Sequence, residues 1–170
     1  MAVAMRELDI GSEADAYLHV QTKRAGKIKG EVVSEGHADD IAVIGWNWGL
    51  AAASAVGRTQ ATGRRSYTAL TIHKHVDAAT TALMSALATN DEVKEAKLTL
   101  RRAGGQQDDY FIIKLSGARI TSVQHVGDET GGTHETVAIA VNTVEEEYKP
   151  QKSTGLRSGS SMFMDEILPA

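Results

Sequence analysis

Residues 96–115, AKLTLRRAGGQQDDYFIIKL, decide the fold. Leu98 and Leu100 alternate with Lys97, Thr99 and Arg101, so the first half reads as a strand with one apolar and one charged side. Gly104 and Gly105 then supply the positive φ angles of a tight reversal. The return strand sets Phe111, Ile113 and Leu115 on one face and Tyr110, Ile112 and Lys114 on the other. That second face is too apolar to stand wholly in water. Either this chain or another copy covers it, and which of the two decides what the protein does.

Working back towards the N-terminus, residues 77–90 read as a helix opened by Asp77 as N-cap, with Leu83, Met84 and Leu87 as its buried stripe. A strand over 67–76 precedes it, with Leu70, Ile72 and Val76 on one face. Residues 54–65, SAVGRTQATGRR, lack hydrophobic periodicity, and surface loops of this length are usually functional or disordered. In 41–53, IAVIGWNWGLAAA, Ile41 and Val43 share one parity while Ile44, Trp46 and Trp48 share the other, which predicts a strand with a bend or bulge near Gly45. Strands over 14–22 and 27–33 and a polar loop over 34–40 come before it, after a flexible lead-in.

Beyond the hairpin, 119–126 reads as a continuation or a further short strand and 135–148 as the last clear one, with a register change near Asn142. The stretch after Pro150 is rich in Ser, Gly and Lys until MFMDEIL, whose apolar residues can dock. The expected architecture is mainly β: a small closed β-barrel or sandwich of seven or eight strands with one helix alongside. The domain layout is a lead-in over 1–13, a β-barrel domain over 14–150 with its extended loop at 54–65, and a tail over 151–170.

The 170 residues suit one domain, and the absence of cysteine leaves no disulfide and no thiolate metal site. A net charge of −4 argues against a broad nucleic-acid footprint. No run approaches the ~20 apolar residues of a membrane span, and the first residues have no basic region followed by an apolar run, so a cleaved signal peptide is not expected.

His73 and His75 share one strand face and form half of a zinc site, but nothing adjacent supplies a third ligand. Of Glu145, Glu146 and Glu147, only the first and last can face the same side, and a solvated or interface acidic face outweighs general acid–base chemistry. The segment GKIKG over 26–30 lacks P-loop spacing, and SGSS over 158–161 is not a nucleophile elbow. The expectation is no enzyme, no metal and no cofactor. Trp46 and Trp48 are expected to anchor the core, which turns Asn47 to the opposite side.

Four stretches occur in one order: HADDIAVIGWNWG (37–49), LTIHKHVDAATTALMSAL (70–87), AKLTLRRAGG (96–105) and VEEEYKPQ (144–151). Together they resemble the Hcp family, the haemolysin-coregulated proteins of the bacterial type VI secretion tube, over about residues 17–152. The resemblance implies a β-barrel with a helix on its side, assembled into a hexameric ring whose copies stack head to tail. Such a tube is ejected by a contracting sheath with a spike at its tip, and it carries small effector proteins in its lumen.

It further implies that the 54–65 loop, with Gly57, Arg58, Gln60, Gly63, Arg64 and Arg65, docks on a neighbouring subunit, and that Asn47 looks into the lumen. The arginines depart from the glycine and serine common among relatives and make that contact more salt-sensitive. Synthesis in the bacterial cytoplasm and release through the secretion system follow from the same likeness. The alternatives are a secreted effector of the same family, or a small metal-dependent enzyme built on His73 and His75.

Overall fold

The computed structural model describes residues 14–52, 65–102, 108–150 and 159–167. Among these, twelve strands and one helix follow one another. The first half of the chain gives β1 (Ala14–Thr22), β2 (Gly26–Lys27), β3 (Ile41–Val43), β4 (Gly45–Asn47), β5 (Leu50–Ala52), β6 (Arg65–Tyr67) and β7 (Leu70–His75). The second half gives α1 (Thr80–Ala88), β8 (Val93–Arg102), β9 (Asp109–Gly127), β10 (Thr133–Ala140), β11 (Thr143–Tyr148) and β12 (Ser161–Glu166).

The expected hairpin is the centre of the sheet. β8 pairs antiparallel with β9, Leu98 opposite Ile113 and Ala96 opposite Leu115, while β1 lies on the far side of β8 with Leu18 opposite Leu98. The inward rows Leu18–Leu98–Ile113 and Val20–Ala96–Leu115 are at most 1% exposed, as the alternation requires. The order runs β2-β1-β8-β9-β10-β7-β4, with β11 and β12 branching from β9 and β3 from β1. A separate pair is formed by β5 and β6.

Two corners turn this sheet into a barrel-like sandwich. Strand β9 is 19 residues long and serves both layers: up to Ser116 it pairs with β11, and from Arg119 onwards with β10. The corner falls at Gly117, whose φ of +58 is open to glycine at no steric cost. The partner strand breaks at the same level, at Asn142, where the sequence predicts the register change. The second corner is Ile44, between β3 on β1 and β4 on β7. The bend predicted near Gly45 is therefore a change of layer. The ladder is not closed into a ring of hydrogen bonds; the segment 41–47 bridges the gap by pairing with β1 at one end and β7 at the other.

The count of seven or eight strands is low because 41–53 divides into β3, β4 and β5 and 135–148 into β10 and β11, and because β6 and β12 form where a loop end and a tail were expected; 119–126 is the continuation of β9. The expected strand over 27–33 shrinks to β2. Beyond it the backbone bonds to the polar loop instead, Gly30 N–H to Asp39 O at 2.8 Å and Val32 N–H to Asp40 O at 3.1 Å. A Cβ on Gly30 would collide with the Asp40 carbonyl.

The helix also differs at its start. It begins at Thr80 with Ala79 as N-cap and no side-chain cap. Asp77 acts one turn earlier, where its Oδ1 accepts the Ala79 N–H at 2.9 Å and its own N–H donates to Thr80 Oγ1 at 2.9 Å. The buried stripe is Thr80, Leu83 and Ala86, with Leu87 packed beside it, and Met84 is exposed. On β7 the third inward position after Leu70 and Ile72 is Lys74, because the strand ends before Val76.

Lys74 and Glu135 are both fully buried, opposite one another on β7 and β10. Lys74 Nζ donates to Glu135 Oε2, Asp77 Oδ1 and the His75 carbonyl, with Thr80 Oγ1 at 3.4 Å. The ion pair thereby ties the ladder to the first turn of α1. Its geometry satisfies the ammonium, which is what a charge removed from water requires.

Candidate functional site

Asn47 stands exposed on β4, on the face of the ladder opposite the core. The register carries that face across four strands. Asn47, Thr71, Ala138 and Ser122 form one row, and Gly45, His73, Thr136 and Gln124 form the next. His75, His134 and Val126 form the third. None of these residues is buried. His73 and His75 do share a face, as their spacing predicts, and β10 brings His134 directly opposite His75, with ring centroids 5.6 Å apart. His73 Nδ1 lies 3.1 Å from Thr136 Oγ1. No group of three His, Asp or Glu side chains among the described residues is arranged to hold a metal ion.

A second site forms where β4 leads into β5. A cleft of about 330 Å³ is lined by Trp48, Gly49, Leu50, Tyr67, Glu146 and Phe163. Trp48 stacks on Tyr67 with centroids 5.2 Å apart, and its Nε1–H donates to Glu146 Oε1 at 2.9 Å. Trp46, half-buried against the core, stacks on Phe111 at 6.4 Å. The tryptophans do anchor the interior, and the second one also forms a wall of the cleft.

Glu146 is the residue that sequence reasoning missed. It sits opposite Ile113 on the inward side, and the parity of Val144 is the signal that finds it. Glu145 and Glu147 face outward, Glu145 within 4.0 Å of Lys114.

Of the six loop residues singled out above, Gly57, Arg58, Gln60, Gly63 and Arg64 lie outside the described residues. Arg65 is the first residue of β6 and makes a bidentate pair with Asp165 of β12, its Nη2 donating to Oδ1 at 2.8 Å. Tyr67 O–H donates to Asp165 Oδ2 at 2.7 Å. Burial, then the hydrogen bond to Asp165, push the Tyr67 hydroxyl up to about 12. Hydrogen bonds from Arg65 and Tyr67 hold the Asp165 carboxyl below the usual carboxylate range.

This clasp holds β12 on β11, with Val144 opposite Asp165 and Glu146 opposite Phe163. The strand's outer edge has no partner among the described residues. Met162 and Met164 point to one side, 62% and 63% exposed, and Phe163 to the other, 42% exposed.

A third cluster covers the charged side of the opening hairpin. Thr99 and Arg101 are buried rather than solvated, and the 34–40 loop lies against Arg101, whose Nη2 comes close to Gly36. His37, 5% exposed, stacks on Tyr17 at 4.5 Å and is held between two carboxylates. Its Nδ1 is 2.9 Å from Asp40 Oδ2, and its Nε2 is 3.1 Å from Asp109. Arg101 Nε donates to Asp109 Oδ1 at 3.0 Å. Burial alone would push the Asp109 carboxyl up, but the hydrogen bonds from Arg101 and His37 outweigh it and leave it lowered. On this strand the cover is the chain's own loop. Tyr110, Ile112 and Lys114 on the return strand remain partly exposed.

The model of the family described as "Type VI secretion system effector, Hcp" matches residues 17–148. Protein hcp1 of Pseudomonas aeruginosa is 33% identical over 142 residues, which span 80% of this chain and 86% of that one. A solved structure of a type six secretion system protein superposes with a TM-score of 0.76 at 25% identity, over 86% of this chain and 91% of the other. The Hcp1 protein of E. coli superposes at 0.73 over 89% and 97% of the two chains, and at 21% identity it speaks for the fold alone. The matched residues take in β1, the tryptophan corner, the His-bearing ladder and the long hairpin, and the chain belongs to the Hcp family of type VI secretion proteins.

Proposed function

We propose that this protein is a structural subunit of a type VI secretion inner tube, closing into hexameric rings that stack and carry effector proteins in the lumen. The observation that supports the reading is β12. An edge strand with methionines exposed on one face and a phenylalanine on the other invites uncontrolled pairing unless an assembly covers it. Leu50, 48% exposed, joins Phe163 in the wall of the cleft, and Tyr148, 43% exposed, stands opposite Ser161 at the start of β12. A heterologous contact made by such a surface closes into a ring when its rotation divides a full turn.

In this arrangement Asn47 and its polar rows line the channel, and the 54–65 loop reaches the adjacent subunit or the next ring. Sheath and spike proteins are the outer partners, and the chain leaves the cytoplasm as part of the ejected tube. The lumen acts as chaperone and receptor for small effectors, without catalysis.

Light scattering and negative-stain imaging of the purified chain test this. Six-membered rings with an open centre are the expected result; a monomer at micromolar concentration overturns it. Met162→Lys with Met164→Lys is expected to shift rings to smaller species while leaving the fold's circular dichroism unchanged.

A further inference from the structure

The cleft where β4 leads into β5 joins flat aromatic walls to one carboxylate. Trp48 and Tyr67 stack with their planes 25° apart, and Phe163 of β12 and Glu146 of β11 complete the lining beside Leu50. Glu146 Oε1 accepts the Trp48 Nε1–H; among the described residues its Oε2 takes no hydrogen bond and the carboxylate no ion pair. Asp165, bonded to the Tyr67 hydroxyl, is neutralised by Arg65, and no cation among the described residues lines the cleft. Burial and Asp165 do most to push the Tyr67 hydroxyl up, and the Glu146 charge adds to them, so its field reaches the stacked rings.

Electron-rich ring faces attract cations, and a carboxylate without a counter-charge strengthens the pull. Rings set across one another box in a tetrahedral ammonium. Near-parallel rings instead present flat faces, which suit a planar cation. Guanidinium is planar, stacks on such faces and donates N–H groups to carboxylates. Leu50 and Phe163, 48% and 42% exposed, form an apolar rim. A small ion leaves that rim wet, whereas the residues flanking an arginine in a peptide cover it.

The described arginines of this chain are engaged elsewhere. Arg65 is held by Asp165, Arg101 by Asp109 and Arg119 by Asn90; Arg102 lies over the Tyr110 ring at 4.6 Å, and the Arg24 charge acts on Asp91. We propose that the cleft is a docking pocket for an arginine side chain of a partner polypeptide. The guanidinium lies on the ring faces and donates to Glu146 Oε2, and the residues flanking it cover Leu50 and Phe163. This goes beyond the tube reading and does not depend on it. Met162 and Met164 point to the other side of β12, so the contact proposed for them leaves the cleft face unused.

Fluorescence anisotropy with labelled peptides tests the pocket on the full-length chain. The probes share a centre of Leu-Arg-Leu, with the arginine replaced by lysine or by citrulline, its uncharged isostere, in the second and third. The arginine peptide is expected to bind about tenfold more tightly than the citrulline one, with the lysine peptide between them. Glu146→Gln keeps an oxygen for the Trp48 N–H and removes the charge, so it is expected to erase that preference with circular dichroism unchanged. Phe163→Ala, at a half-exposed position, is expected to weaken all three peptides. Equal affinity for arginine and citrulline, a preference that survives Glu146→Gln, or no binding by the natural chain overturns the inference.

Light scattering on the same samples separates it from the tube reading. A monomeric chain that shows the arginine preference rejects the ring but supports the pocket. Rings that bind no peptide, beside a Met162→Lys with Met164→Lys variant that does, would mean that a second copy fills the cleft, and would overturn the assignment to a partner polypeptide.

Discussion

The two faces of the β7–β10 ladder are built from alternating residues of the same few strands, and they handle charge in opposite ways. Inward, Leu70, Ile72, Val137 and Ile139 surround the fully buried pair Lys74–Glu135. Outward, Thr71, His73, Thr136 and His134 remain accessible. The inner pair has no water to fall back on, so its charges are fixed in place by each other, by Asp77 and by the His75 carbonyl. The outer imidazoles stand open to solvent, with His73 bonded only to its neighbour Thr136. A period of two along a strand thus separates a buried electrostatic tie from a solvated polar surface.

The comparison is broken most severely by Glu135→Ala, which takes away the fully buried partner of Lys74, leaves its ammonium only Asp77 as counter-charge, and is expected to cost about 3 kcal/mol in chemical denaturation. The double replacement Lys74→Met with Glu135→Leu removes both charges of the buried pair, and its expected cost is smaller, confined to Asp77, which loses its ammonium but keeps the Ala79 N–H. A double variant as unstable as the single one would show that the pair holds the helix start by more than charge balance.

A second expectation concerns acid. Asp109 and Asp165 have folded pKa values below their unfolded ones, so the stability they contribute is present above the ordinary aspartate value of about 4 and is lost as pH falls below it through their lower folded values. Asp109→Asn is expected to flatten the acid limb of a stability-against-pH profile, with neutral stability lowered. The same limb in the Asn variant would reject the role of the His37–Asp109–Arg101 cluster.

The smallest effects belong to the surface. The His73, His75 and His134 triple Asn variant is expected to change unfolding free energy by no more than about 0.5 kcal/mol, in contrast with the inner pair. Arg65→Ala is expected to leave the global transition in place and to speed hydrogen exchange over 161–166, because only β12 is held by that arginine. Protection of β12 equal to that of the natural chain would show that its ladder with β11 suffices.

Much of the frame was legible from alternation alone. β1 has the bounds that its pattern predicts, and the long hairpin pairs Leu98 with Ile113 as its apolar positions require. The breaks near Gly45 and Asn142 were readable because a change of parity is visible in sequence. Their cause was not, since a corner between layers and a local bulge look alike without the partner strands.

Lys74 was invisible because a lysine between two histidines reads as solvated, and its true partner lies 61 positions away. Asp77 has the right residue type for a cap, yet the helix begins three residues later because its carboxylate is used in the preceding turn. For the site, Asn47 could be assigned to the outward face by parity. Its companions Ser122, Gln124 and His134 arrive only with the register.

The pairing of β1 with β8 joins Ala14 to Arg102, and β3 depends on β1 while β4 depends on β7. During synthesis the first strand leaves the ribosome long before its neighbour exists, and local hairpins must form ahead of it. Nascent copies therefore pass through an interval with an open apolar flank, which places a premium on translation speed and on holding factors at high expression.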